Sequence, residues 1–195
     1  MEMRTEKLFT LSQTNLAHYL WKGILREGDS VIDATCGRGH DSLFIASLLS
    51  QWKVGRLHCI DIQKEAIEST KRRLKDSLGG NFIERISFQQ TCHSLFSIEF
   101  IPKLIIYNLG YLPKGDKSIA TLSEKTLMSI KNALKIIPSQ GVISIMCYNG
   151  HKEGKEEQRV LESFFASLPK NEFSSQRIDK VNAESPPILF LITKR

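Results

Sequence analysis

Apolar and polar positions alternate along this chain in two rhythms, and their order outlines a fold before any single residue is considered. Leu11 to Leu25 carries apolar residues at Leu16, Tyr19, Leu20, Ile24 and Leu25, close to helical spacing, with Ser12 or Thr14 available as cap. Glu27-Gly28-Asp29 ends that lead-in helix. Ser30 to Thr35 is nearly continuous in apolar character, as a parallel strand buried on both faces is, and an apolar helix follows over residues 41 to 50. The period then repeats. Gly55 to Asp61 reads as a second strand, Glu65 to Leu78 as a charged amphipathic helix closed by Gly79-Gly80, and Ile83 to Gln90 as a third strand. Lys103 to Gly110 is a fourth strand, with Pro102 at its start where no ladder donor is lost. Thr121 to Ile137 is a helix stopped by Pro138, Gly141 to Tyr148 a fifth strand, and Glu156 to Leu168 a helix entered through the turn Asn149 to Gly154. Phe173 to Val181 and Ile188 to Thr193 have no helix between them and read as an antiparallel pair closed by Pro186-Pro187.

Five strand-helix units followed by a hairpin predict an α/β fold: a doubly wound, Rossmann-like, seven-stranded and mostly parallel sheet with one antiparallel strand. Ligands of such sheets lie outside the carboxyl ends of the strands, where strand order reverses. The 195 residues suit one domain, 1–195, with residues 1–28 as its lead-in helix.

Composition narrows the setting. Four cysteines (Cys36, Cys59, Cys92, Cys147) stand far apart with no Cys-x-x-Cys, against both a zinc site and a disulfide framework. No apolar run reaches the ~18 residues of a membrane span, and the charged amino terminus carries no export signal, so a cytoplasmic location is expected. Lys and Arg outnumber Asp and Glu by 27 to 21, a net charge of +6 that favours an anionic partner.

The chemistry gathers at the strand ends. Val31 to Ser42 runs from strand through Asp33-Ala34-Thr35-Cys36-Gly37-Arg38-Gly39 into a helix, the outline of a nucleotide pocket. Glycines at 37 and 39 remove Cβ atoms that would block a ligand, although a turn serving structure alone also tolerates Gly-x-Gly. A dinucleotide site wants a third glycine where Ser42 stands, and its pyrophosphate would be repelled by Asp33. S-adenosylmethionine, with its sulfonium and ammonium, fits better. Asp33 could hold that ammonium or orient the turn through backbone N–H bonds. Asp61 follows Gly39 at about the 20-residue spacing of a ribose-binding carboxylate, and it could equally cap the helix beginning near Gln63. Asn108-Leu109-Gly110-Tyr111 ends the fourth strand in the order amide, two turn residues, aromatic, which suits gripping a nitrogen beside a stacked base; a plain Asn-x-Gly turn is the other reading.

Three motifs in order now resemble a known family. Asp33-Ala34-Thr35-x-Gly37-x-Gly39-x-Asp41, Asn108-Leu109-Gly110-Tyr111-Leu112-Pro113-x-Gly115-Asp116-Lys117 and Tyr148-x-Gly150-His151-x-x-Gly154-x-x-Glu157 are similar to the small bacterial class I methyltransferases labelled rRNA methylases, some associated with methylating the 5-aminomethyl group of tRNA wobble uridine 34. The resemblance implies that Asp33, Gly37, Gly39 and Asp41 shape the methionine end of S-adenosylmethionine, with Thr35 and Arg38 in the same turn. It implies that Asp61, with Ile62, holds the ribose side, that the junction of Thr91, Cys92 and His93 lies against adenine, and that Asn108 touches the donor as well as the acceptor. Asn108, Tyr111, Asp116, Tyr148 and His151 would form the acceptor side. Arg38 stands where the family usually has Asn, Ser42 where Thr is frequent and Lys114 where Gly is common. A long cation at 38 must turn outward or pair with the donor's carboxylate.

The implied reaction is in-line transfer of methyl to an exocyclic primary amine, with Asn108, Tyr148 or His151 selecting or helping to create the neutral amine and Asp116 as orienter or proton acceptor. No histidine pair has metal-ligand spacing, so no metal is expected. His18 and His58 read as structural or surface positions, and His40 as either. The implied partner is RNA, foremost a tRNA anticodon stem-loop, its phosphates on scattered Lys and Arg and its base on Tyr111 or Tyr148. A homodimer is compatible with this. The rivals are an rRNA substrate, a small-molecule N-methyltransferase, whose activity added salt would barely change, and an RNA-binding module without turnover.

Overall fold

The computed structural model describes residues 10–78, 80–110, 123–150 and 152–195. Its elements run α1 (Gln13–Ile24), β1 (Val31–Asp33), α2 (His40–Leu49), β2 (Leu57–Asp61), α3 (Lys64–Ser77), α4 (Gly80–Ile83), β3 (Ile86–Gln90), β4 (Leu104–Leu109), α5 (Ser123–Ile136), β5 (Val142–Cys147), α6 (Lys152–Ala166), β6 (Phe173–Ile178) and β7 (Ile188–Lys194). The seven strands form one sheet in the order β3-β2-β1-β4-β5-β7-β6. All neighbours pair in parallel except β7, which is antiparallel to both β5 and β6. The expected α/β class, strand number and single reversed strand are all present.

Two local differences have clear causes. The third strand begins at Ile86 because Gly80 to Ile83 coils into the short α4, where Phe82 is buried and the Arg85 guanidinium lies 4.4 Å over its ring. Arg85 is held there by the carbonyls of Trp52 and Gly55. α6 begins four residues before the expected Glu156, because Gly154 is buried within its first turn and does not end a loop.

Alternation along the strands sends successive side chains to opposite faces. Val31, Cys59, Ile106 and Met146 pack on one side with Trp21, Ile45 and Leu74 of α1 to α3. Ile32, Ile60, Tyr107 and Ile145 pack on the other with Ile130 of α5 and Leu161 of α6. Strand order reverses between β1 and β4, whose register pairs Asp33 with Ile106, so Asn108 projects beyond the end of β1 into the switch-point cleft. α1 is more than a lead-in. Ser12 caps it, accepting from Asn15 N–H at 3.2 Å; Gln13 Nε2 donates to the Ile178 carbonyl at 2.8 Å and Trp21 Nε1 to Ser144 Oγ at 2.9 Å, which fastens the helix to β6 and β5. No helix among the described residues is long and apolar enough to cross a membrane.

Candidate active site

The turn from β1 into α2 is held from both sides. Asp33 is fully buried (0% exposed), accepting from Ser42 Oγ at 2.6 Å and from the Thr35 N–H at 3.3 Å. Burial pushes its carboxyl up to about 7; the Ser42 hydrogen bond opposes this, the Asp41 charge adds to it, the Thr35 N–H opposes it and the Asp61 charge adds again. Such a group orients the turn from within and presents no surface to a ligand, so of its two expected roles the geometry carries this one. Ser42, which took the place of a third glycine, is the hydroxyl that satisfies it.

From the α3 side, Thr70 Oγ1 donates to the Gly37 carbonyl at 3.1 Å and Arg73 Nε to the Arg38 carbonyl at 2.7 Å. Gly37 and Gly39 have positive φ, 51° and 76°. A Cβ on Gly39 would lie 2.9 Å from the Thr70 backbone Cα, so its missing side chain makes room for α3. Arg38 is exposed, its side chain turned outward from the turn.

Asp61 makes the expected bond at the start of α3 and also holds the glycine turn. Its Oδ1 accepts from Gln63 N–H at 2.9 Å at the start of α3, and its Oδ2 accepts from Gly37 N–H at 2.9 Å. Partial burial raises its pKa, opposed by the N–H groups of Gln63, Gly37 and Ile62. Each oxygen keeps a lone pair for a hydroxyl outside. Ile62, 50% exposed, offers an apolar surface beside it. At the end of β3, Cys92 is half-buried with its thiol 3.1 Å from Ser94 Oγ. His93 departs from expectation. Its ring is buried edge-on against Tyr107, 5.9 Å between centroids, on the α5 side of the sheet, whereas Asp33 and Asp61 lie on the α2–α3 side. Burial, with Lys125 adding, drives its pKa down to about 4, and Nδ1 has no partner among the described residues. Thr91 and Cys92 are therefore the residues of that junction left at the rim.

The opposite wall is made of side chains from distant segments. Asn108 Nδ2 donates to Asp41 Oδ2 at 2.5 Å, and the Asn108 backbone N–H donates to Thr35 Oγ1 at 2.6 Å. His18 Nε2 lies 2.5 Å from Asp41 Oδ1. Asp41 thus links His18 to Asn108, and Thr35 is a clamp on the Asn108 backbone. Tyr148 is 42% exposed; partial burial raises its pKa, with Thr14 opposing and the Asp41 charge adding. Tyr111, Asp116 and His151 lie outside the described residues. His18 is the residue that sequence reading missed. Its signal was its position: four residues after Thr14 and three before buried Trp21, it borders the apolar stripe of α1 and faces the cleft.

Comparison with known proteins decides among the expectations. The family described as "Putative rRNA methylase" matches residues 57–194. The chain belongs to that family. The methyltransferase is 38% identical over 190 residues to the tRNA (mnm(5)s(2)U34)-methyltransferase, chloroplastic, of Arabidopsis thaliana, covering 93% of this chain and 69% of that protein. Its fold matches a "putative rRNA-methylase" from Clostridium thermocellum with a TM-score of 0.88 at 36% identity, covering 95% and 98% of the two chains. It also matches a "putative methyltransferase" from Streptococcus mutans in complex with SAH, with a TM-score of 0.82 at 25% identity, covering 95% and 99%. The protein is an S-adenosylmethionine-dependent methyltransferase of RNA-methylase type. The cleft fits that cofactor: beside the glycine turn, Asp61 with Ile62 pairs a hydroxyl acceptor with an apolar face.

Proposed function

We propose that this methyltransferase N-methylates the 5-aminomethyl group of wobble uridine 34 in tRNA. The observation that carries the reading is the Asn108 amide at the end of β4, its NH2 tied to Asp41 at 2.5 Å. A carboxylate can only accept, so the amide carbonyl Oδ1 is left facing outward as an acceptor. An acceptor at that point takes an N–H from a primary amine and turns the nitrogen lone pair the other way. The 38% identity to a tRNA (mnm(5)s(2)U34)-methyltransferase supports this choice of substrate.

When bound, S-adenosylmethionine supplies an electrophilic methyl group on a sulfonium. The chain does the rest by position. Asp61 and Ile62 hold the nucleoside end. Asn108 Oδ1 accepts an N–H of the amine and so sets the direction in which its lone pair points once the nitrogen is neutral. Asp41 lies next to the nitrogen that becomes a methylammonium, where its charge stabilises the product of transfer. The half-exposed Tyr148 ring is available to stack on an unstacked base, and the excess of Lys and Arg suits the phosphates around it.

Mass spectrometry of nucleosides from cells lacking this chain tests the proposal. Unmethylated 5-aminomethyl uridine should accumulate in tRNA. Unchanged tRNA, with rRNA losing a methyl instead, would move the substrate to rRNA.

A further inference from the structure

The most connected group in the cleft is one that neither the family motifs nor the reaction scheme employs. His18 comes from α1, the helix before the first strand, and its Nε2 meets Asp41 Oδ1 at 2.5 Å while the other carboxylate oxygen holds Asn108. The imidazole is not a loose surface ring. It stacks on Phe44 of α2 with 4.0 Å between centroids and 11° between planes, and it lies 5.1 Å from the Trp21 ring. Trp21 is itself fixed by its bond to Ser144 of β5. His18 and Asp41 are 20% and 12% exposed in their side chains, enough to line the cleft without being loose in solvent.

Asp41 occupies the first turn of α2, whose leading N–H groups lack helical partners. A carboxylate there is free to fold back on those donors or to rotate toward water. Holding one oxygen by His18 leaves the other at a single position, and that position orients the Asn108 amide. We propose that His18 is a positioning residue for methyl transfer: it locks Asp41, and Asp41 locks Asn108 with its carbonyl toward the acceptor nitrogen. The inference rests on the reading of Asn108 as the residue that grips the amine, but not on which RNA bears that amine.

The test uses the full chain, with S-adenosylmethionine and total RNA from cells lacking the protein, methyl incorporation being measured before tRNA and rRNA are separated. His18→Ala should lower kcat by roughly 10- to 100-fold, the scale of losing a charge-assisted hydrogen bond, with KM for RNA and Kd for S-adenosylmethionine within about 3-fold. His18→Gln keeps an N–H for Asp41 and should recover most of the rate. Adding His18→Ala to Asp41→Ala should cost nothing more, because the two act as one unit. Independently of turnover, the His18 Nε2 proton should give a downfield NMR resonance that disappears in Asp41→Asn. An unchanged kcat in His18→Ala, multiplicative losses in the double variant, or an Nε2 signal indifferent to Asp41→Asn would each overturn the proposal. Label found in rRNA would instead refute the tRNA reading and leave His18 standing.

Discussion

The two walls of the cleft are built in opposite ways. On the cofactor wall, apart from the Ser42 hydroxyl on Asp33, side chains hold backbone: Asp33 and Asp61 accept N–H groups of the adjoining turns, and Thr70 and Arg73 donate to the Gly37 and Arg38 carbonyls. On the acceptor wall, apart from Thr35 on the Asn108 N–H, side chains hold side chains: Asp41 joins His18 to Asn108. A backbone cradle recognises what every reaction of this kind shares, a methyl donor of constant shape. A side-chain wall can be changed one residue at a time without disturbing the turn, so the acceptor can differ while the donor site stays.

That contrast predicts separable failures. The largest effect should come from Asn108→Ala, which removes the amide that orients the amine and should lower kcat about 1000-fold while Kd for S-adenosylmethionine moves by less than about 10-fold. Asp61→Ala should do the reverse, weakening S-adenosylmethionine binding about 100-fold with kcat at saturation nearly kept. Calorimetric titration beside steady-state kinetics reads both, and a common loss of kcat and affinity in either variant would dissolve the distinction between the walls.

Gly39→Ala strikes the cradle through α3. The added Cβ meets the Thr70 backbone at 2.9 Å and sits at a φ of 76°, so unfolding stability should fall by about 2 to 4 kcal/mol, measured in urea, with donor affinity reduced as the turn shifts.

The last effect is a pH dependence. Asp33 is raised in the folded protein to about 7, so its contribution to stability is complete below the ordinary 3.8 and is lost as pH rises through 7, a change on the order of 4 kcal/mol. His93 is lowered from 6.5 to about 4, so its contribution is present above 6.5 and is lost as pH falls toward 4. The slopes oppose each other between pH 4 and 6.5. Asp33→Asn should therefore keep its stability from pH 6 to 8, where the parent declines, and expose a steeper loss on acidification. Parallel unfolding curves for the two proteins across pH 4 to 8 would show Asp33 to be ionised in the fold.

The sheet and the cofactor wall were legible in the sequence because their information is local. Val31 to Ser42 carries strand, carboxylate, turn and helix start within a dozen residues, and periodicity marks the rest. What was missed on that wall depended on a neighbour: Gly39 answers to Thr70 on another helix, and the direction in which the His93 ring turns answers to Tyr107 on another strand. The acceptor wall was legible only in part. Asn108 and Tyr148 stood out by their place after strands, but nothing near His18 in sequence announces Asp41, and Asp41 looked like part of the glycine turn because it adjoins it. Side-chain contacts across 23 and 67 positions are invisible to periodicity.

The bond from Gln13 to the Ile178 carbonyl reaches across 165 positions of sequence. During synthesis the segment from β1 to β3 has its own parallel pairings available early, whereas α1 cannot take its final seat until β6 has left the ribosome. His18 rides on that helix, so its contact with Asp41, and through it with Asn108, waits on the strands that seat α1.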